Sequence, residues 1–159
     1  MGAWGYKALE SDEGLDVVDF LRDRIPENLE FDLAGIIDAM KSGGFFGASF
    51  DDIDFFYDHS AMALAELYLM FLDTGTLDYE NDEEDEGPAL SDIKVFRADP
   101  DSLLFLLRYL QDIRNEVPDE DDEREIVELW RDSKSWKEWK ANLDNLAARI
   151  DALANAGKS

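Results

Sequence analysis

Across 159 residues the chain carries 39 acidic side chains against 15 basic ones, a formal charge of −24, yet it is 45% hydrophobic and holds four tryptophans. That apolar content excludes an acidic disordered tail, which lacks the surface needed to offset chain entropy. The charge argues against nucleic acid and anionic membranes as partners and favours a basic protein, which a negative field steers inward.

The absence of cysteine removes disulfides and thiolate metal sites, and the single histidine, His59, removes a His-rich zinc centre. The length suits a single domain over residues 1–159, large enough to bury about 70% of its unfolded surface. The opening MGAWGYKALESDEG lacks a basic region followed by an apolar run, and Tyr6 stands where a myristoylation signal needs Ser or Thr. The most apolar stretch, Ala61 to Leu72, is 12 residues long and interrupted by Glu66, too short for a bilayer. The expectation is a cytoplasmic protein of mainly α class: a compact multi-helix domain ending in a long amphipathic helix.

The first helix is predicted from Ser11 or Asp12 to just before Pro26, with Leu15, Val18, Leu21 and Ile25 on one face. A second runs from about Glu27 to Lys41 on Leu29, Leu33, Ile36, Ile37 and Met40, and stops at Gly43-Gly44. The segment Ser42 to Ser49 (SGGFFGAS) is a poor phosphate loop, since no Lys follows and Asp51, Asp52 and Asp54 would repel a phosphate. It reads as a turn carrying Phe45, Phe46 and Phe50. If exposed, those rings form an apolar patch edged by acids, which makes Phe45, Phe46, Asp51, Asp52 and Asp54 candidate partner-binding residues.

A third helix begins at Asp52 or Asp58, reaches Asp73 and closes at Gly75. Within it, His59 reads as a helix-start or surface residue. Glu66, the lone carboxylate of the apolar stretch, reads as a partner of an arginine such as Arg108 or as exposed on a narrow polar edge; burial would raise its pKa, as an acid catalyst requires. No glycine pattern of a nucleophile elbow surrounds Ser49, Ser60 or Ser102.

Asp78 to Glu86 (DYENDEEDE) holds seven carboxylates and no cation, so 78–88 is predicted to be a solvated acidic loop. An EF-hand register starting at Asp82 puts Ile93 where a bidentate Glu is required, so no metal ligands are assigned. Tyr79 beside Asp82, Glu83, Glu84, Asp85 and Glu86 completes the candidate partner-binding set. Residues 93–96 read either as one short strand or as an extended connector. Asp99-Pro100 starts a helix with Leu103, Leu106, Leu107, Leu110 and Ile113 inward and Arg108, Gln111, Asp112 and Asn115 outward. A second acidic cluster, Pro118 to Glu125, opens the next helix.

The last helix, 135–155, has capping-box spacing at Ser135 and Glu138. Its seam of Trp136, Trp139, Leu143, Leu146, Ile150 and Leu153 is of heptad type and serves either the chain's own core or a homodimer. Residues 126–159 hold six basic and five acidic side chains, while residues 1–125 hold nine and 34. The near-neutral end is expected to pack on the acidic body and relieve its self-repulsion.

Met1-Gly2-Ala3-Trp4-Gly5 leads into Leu9-Glu10-Ser11-Asp12 and Gly14-Leu15-Asp16. This opening resembles the bacterial domain of unknown function 4259 family, or a sister group, whose members start M-G-[AT]-W-G before an acidic run and a helix. The match is specific over the first 16–20 residues, and Tyr6 to Leu9 depart from the commoner glycine- and phenylalanine-containing version. The resemblance carries no catalytic residues or cofactor. Trp4 is expected to dock into the core, with Gly2 and Gly5 allowing a tight path and Asp12 capping the helix. The functional expectation is a non-catalytic module that binds a basic protein, as immunity proteins do. The alternatives are an accessory domain without a strong partner and a carboxylate-based hydrolase.

Overall fold

The structure, a computed structural model, describes Leu9 and residues 12–47, 52–77, 89–118, 122 and 124–156. Among these, six helices and two short strands follow in the order α1 (Asp12–Arg22), β1 (Glu30–Asp32), α2 (Leu33–Ser42), α3 (Phe55–Thr74), β2 (Val95–Arg97), α4 (Pro100–Arg114), α5 (Glu125–Arg131) and α6 (Trp136–Ala156). The fold is mainly helical and compact, and it ends in its longest helix.

Helix α3 is the axis. Its residues from Asp58 to Leu69 are all buried, which fits an apolar helix with neighbours on every side; α1, α4, α5 and α6 all pack on it. Local chemistry sets its ends. The Asp54 carboxylate accepts the Phe56 N–H at 2.8 Å, and Gly75, at φ +79°, takes the left-handed turn that closes the helix. In α4 the expected start holds: Asp99 accepts the Ser102 N–H at 3.0 Å, and Ser102 Oγ accepts the Asp99 N–H at 3.2 Å. The predicted inward residues Leu103, Leu106, Leu107, Leu110 and Ile113 are buried.

Helix α6 lies along α4, the most extensive pairing of elements in the fold. Trp139, Leu143, Leu146 and Ile150 of the seam are buried there, with Trp136 and Leu153 half-buried. The seam is therefore used within the chain's own core. Residues of the near-neutral end pair with the acidic body as expected: Arg149 with Asp73 of α3 at 2.6 Å, and Arg131 with Glu116.

Two sequence expectations change. The first helix stops at Arg22, and its buried face is Gly14, Val17, Val18 and Leu21, with Leu15 and Ile25 only half-buried. The second helix starts at Leu33 because residues 30–32 form β1. Leu29, at φ +59°, breaks the helical path. Phe31 then points inward while Asp32 points out, and β1 pairs in parallel with β2 in the register Phe31↔Phe96. The Phe31 and Phe96 rings meet edge to face at 5.6 Å. Of the two readings of 93–96 the short strand is the one present, starting two residues later and ending one later, as Val95–Arg97.

Candidate partner-binding site

Phe45 and Phe46 of the glycine turn pack against the core, so the condition for an exposed patch is not met at these two rings. Phe46 is 3% exposed, with its ring 5.1 Å from Phe105 and 5.3 Å from Tyr109. Phe45 is half-buried between Phe20 at 4.7 Å and Phe56 at 5.1 Å. Burying aromatic area outweighs leaving it at a turn. Asp54 is an α3 cap, and Asp52 is exposed with its side chain against Gly47. Phe50, Asp51, Tyr79, Asp82, Glu83, Glu84, Asp85 and Glu86 lie outside the described residues, as do Trp4 and the rest of the opening motif.

Three of the buried titratable groups, Arg124, Asp58 and Glu66, form two polar clasps. In the first, Arg124 and Asp58 have side chains 2% and 1% exposed. Arg124 Nη2 donates to Asp58 Oδ1 at 2.6 Å, Nε donates to Oδ2 at 3.0 Å, and Nη1 donates to the Val117 carbonyl at 3.1 Å. Burial pushes the Asp58 carboxyl up to about 6, against the opposing pull of Arg124. Asp112, placed on the polar stripe by periodicity, is in fact buried and accepts Arg108 Nε at 3.0 Å. Arg108 therefore serves a carboxylate on its own helix rather than Glu66. Tyr109, beside this cluster, is pushed up to about 12, chiefly by burial. His59, expected at a helix start or on the surface, lies near the start of α3 but is buried, its ring edge-on to Phe55 at 4.8 Å.

Glu66 forms the second clasp. At 8% exposure, its Oε1 accepts the Leu9 N–H at 3.0 Å and its Oε2 accepts Asn142 Nδ2 at 3.0 Å. It thus ties the segment before α1 and the start of α6 to the central helix. It lines a cleft of about 300 Å³ with Asn142, Asn145 and the ion-paired Asp73 and Arg149. Arg149 holds Asp73 below the usual carboxylate range. Glu66→Gln replaces one acceptor by an amide N–H facing a donor. It is expected to lower stability by about 1–3 kcal/mol, read by urea denaturation.

Outside these clasps the charges are distributed unevenly. Arg22 pairs with Asp19, Arg97 with Glu30, and Arg114 and Lys140 with Asp144. Arg24 lies over the Phe20 ring at 3.6 Å, and Lys41 over the Phe105 ring at 4.6 Å. Each exposed pair adds little to stability, roughly 0–1 kcal/mol, but together they occupy much of the small cation supply. Asp23, Glu27, Asp32 and Asp38 are exposed and make no ion pair among the described residues. Asp32 stands at the α2 cap position yet makes no capping hydrogen bond.

Asp32, with the ion-paired Glu30, lines an apolar groove of about 230 Å³ between the end of α1, β1 and α2, walled by Phe20, Leu21, Pro26, Phe31, Ile36 and Ala39; Asp23, Glu27 and Asp38 adjoin its lining residues in sequence. Gly35 also faces it, and a Cβ there would meet no atom within 4 Å. Among the described residues no three histidine or carboxylate side chains converge as a metal-ligating cluster. Nor does a described helix have the length and apolarity to cross a membrane. The groove is not legible in the sequence because β1, one of its walls, continues the helical period of the residues after it.

Comparison with curated proteins and with solved structures gives no match. The family model described as Domain of unknown function (DUF4259) matches residues 2–142, from the opening motif through all the elements up to the first turns of α6. The likeness seen in the first residues thus extends over most of the fold, and the chain belongs to the DUF4259 family.

Proposed function

We propose that this chain is a non-catalytic, cytoplasmic protein-binding module whose partner is a basic protein, acting as immunity proteins do when they neutralise a toxin. The observation that carries this reading is the unequal fate of its charges. Every described arginine, with Lys41 and Lys140, is drawn to the chain's own carboxylates or rings, leaving Lys94, Lys134 and Lys137 as the described lysines without such a contact, while exposed carboxylates such as Asp23, Glu27, Asp32 and Asp38 have no ion pair among the described residues. A surface of that kind speeds encounter with a cationic partner and repels anionic ones.

The interior supports binding over catalysis. Arg124 and Asp58 are spent on each other, and Glu66 accepts hydrogen bonds at both oxygens, so each acts as a fastening of the fold. The test is capture from a lysate of the native host with the immobilised full chain at low salt, followed by mass spectrometry. The expected result is a protein of net positive charge, released as ionic strength passes a few hundred millimolar, where screening shortens to about 5 Å. A bait that retains nothing at low salt would instead support an accessory domain whose charge serves solubility.

A further inference from the structure

We infer that the groove between α1, β1 and α2 receives one large apolar side chain of the partner, flanked on the partner by lysine or arginine; this rests on the basic-partner reading and names its contact point. The size of the groove decides against a small-molecule site. At about 230 Å³ it falls below the roughly 300–1,000 Å³ of pockets that enclose drug-sized ligands. It suits a single interface anchor, the kind of side chain that fills an apolar pocket while polar groups around it exclude water.

Its surroundings specify the anchor's neighbours. Residues 12–42, which build the groove walls, carry nine carboxylates against three cations. Those cations are committed: Arg22 to Asp19, Arg24 to the Phe20 ring and, at 3.3 Å, the Phe20 carbonyl, and Lys41 to the Phe105 ring. Asp32 is itself part of the lining. Asp23, Glu27 and Asp38 adjoin the lining residues Arg24, Pro26 and Ala39 in sequence. An apolar side chain can therefore enter the groove while cations on either side of it face unpaired carboxylates. An acidic or neutral segment gains only the apolar part of that contact.

The open wall at Gly35 supplies the means of testing this. The full chain is titrated, by fluorescence anisotropy at low salt, with two labelled Lys/Arg-rich peptides of equal charge, one with a central Phe and one with Ala in its place. The Phe peptide is expected to bind about tenfold more tightly, the ratio that partial burial of one large side chain supplies. Gly35→Trp fills the groove from a position with free space and is expected to abolish that preference while leaving affinity for the Ala peptide unchanged. Ala39→Met, on another wall, is expected to reduce the preference in part, and circular dichroism verifies that both variants keep the helical fold. Equal affinities of the wild type for the two peptides would overturn the groove and leave the basic-partner reading standing. So would a Phe preference that survives in folded Gly35→Trp. Failure of both peptides to bind would overturn the two together.

Discussion

Arg124→Met is expected to lower the free energy of unfolding by about 3–5 kcal/mol, although Arg124 sits in the run Pro118–Glu125, whose composition reads as the acidic start of a helix. The reason is the company it keeps. Arg124 is the single cation of that run, and it is withdrawn from solvent to make two hydrogen bonds to Asp58 and one to the Val117 carbonyl. Removing it leaves a buried carboxylate without its counter-charge, which costs far more than the pair contributes. Asp58→Ala strands the guanidinium and is expected to fall in the same range. The double variant is expected to be no worse than either single one, so a double-mutant cycle read by urea denaturation should be strongly non-additive.

The same pair sets an unusual pH dependence. Burial holds the Asp58 carboxyl up at about 6, above the ordinary Asp value and against the pull of Arg124, so in mildly acid solution the folded state binds a proton that the unfolded state does not. Stability is therefore expected to rise as pH falls from neutral through 6 toward the ordinary Asp value. Asp73 and Asp99, held low by Arg149 and by Ser102, work the other way: their contribution is present above the ordinary Asp value and is lost on further acidification. The melting temperature should thus peak at mildly acid pH, and Asp58→Asn should flatten the neutral-to-acid limb. A flat wild-type profile between pH 5 and 7.5 contradicts this account of the pair.

Trp139→Ala is expected to cost about 3–5 kcal/mol, the range for deleting a buried large aromatic side chain. Trp139 is 1% exposed and stacks between Trp130 at 5.9 Å and Trp136 at 5.6 Å. Trp136 is half-buried, and its replacement by Ala is expected to cost only about 1 kcal/mol, the scale of one aromatic pair. The Trp139 substitution also tests whether the seam serves the chain's own core or a homodimer. With the seam used internally, the denaturation midpoint of wild type and variant is independent of protein concentration. A midpoint that climbs with concentration points to a dimer through α6.

What the sequence reveals about this fold follows the range of the forces involved. The end of α3 and the start of α4 were legible because Gly75, Asp99 and Pro100 act on backbone groups a few residues away, whereas α3 starts at Phe55 with Asp54 as its cap, between the expected Asp52 and Asp58. The inner faces of α4 and α6 were legible because burial there keeps a helical period. Strand β1 was not, since its partner Val95–Arg97 lies far along the chain and Leu33 to Met40 extend a helical period across it. Phe45 and Phe46 advertise aromatic area without saying whether it is covered; Phe20, Phe56, Phe105 and Tyr109 cover it. The Asp58–Arg124 contact joins residues 66 apart, and its only local sign is a lone cation among acids opposite a carboxylate in an apolar helix. Glu66 carries the same sign, but neither an arginine nor an exposed edge accounts for it: its partners, a backbone N–H and Asn142, carry no charge by which to find them.

The central claim is that surplus carboxylate draws in a basic protein, and its most direct test is kinetic. The protein captured from the native host at low salt is mixed with the full chain at rising ionic strength, and association and dissociation rates are measured separately. The account predicts an association rate that falls at least about tenfold between low and physiological-to-high salt, with dissociation little changed, as electrostatic steering requires. An empty bait, or a captured partner whose association rate ignores salt, would contradict it.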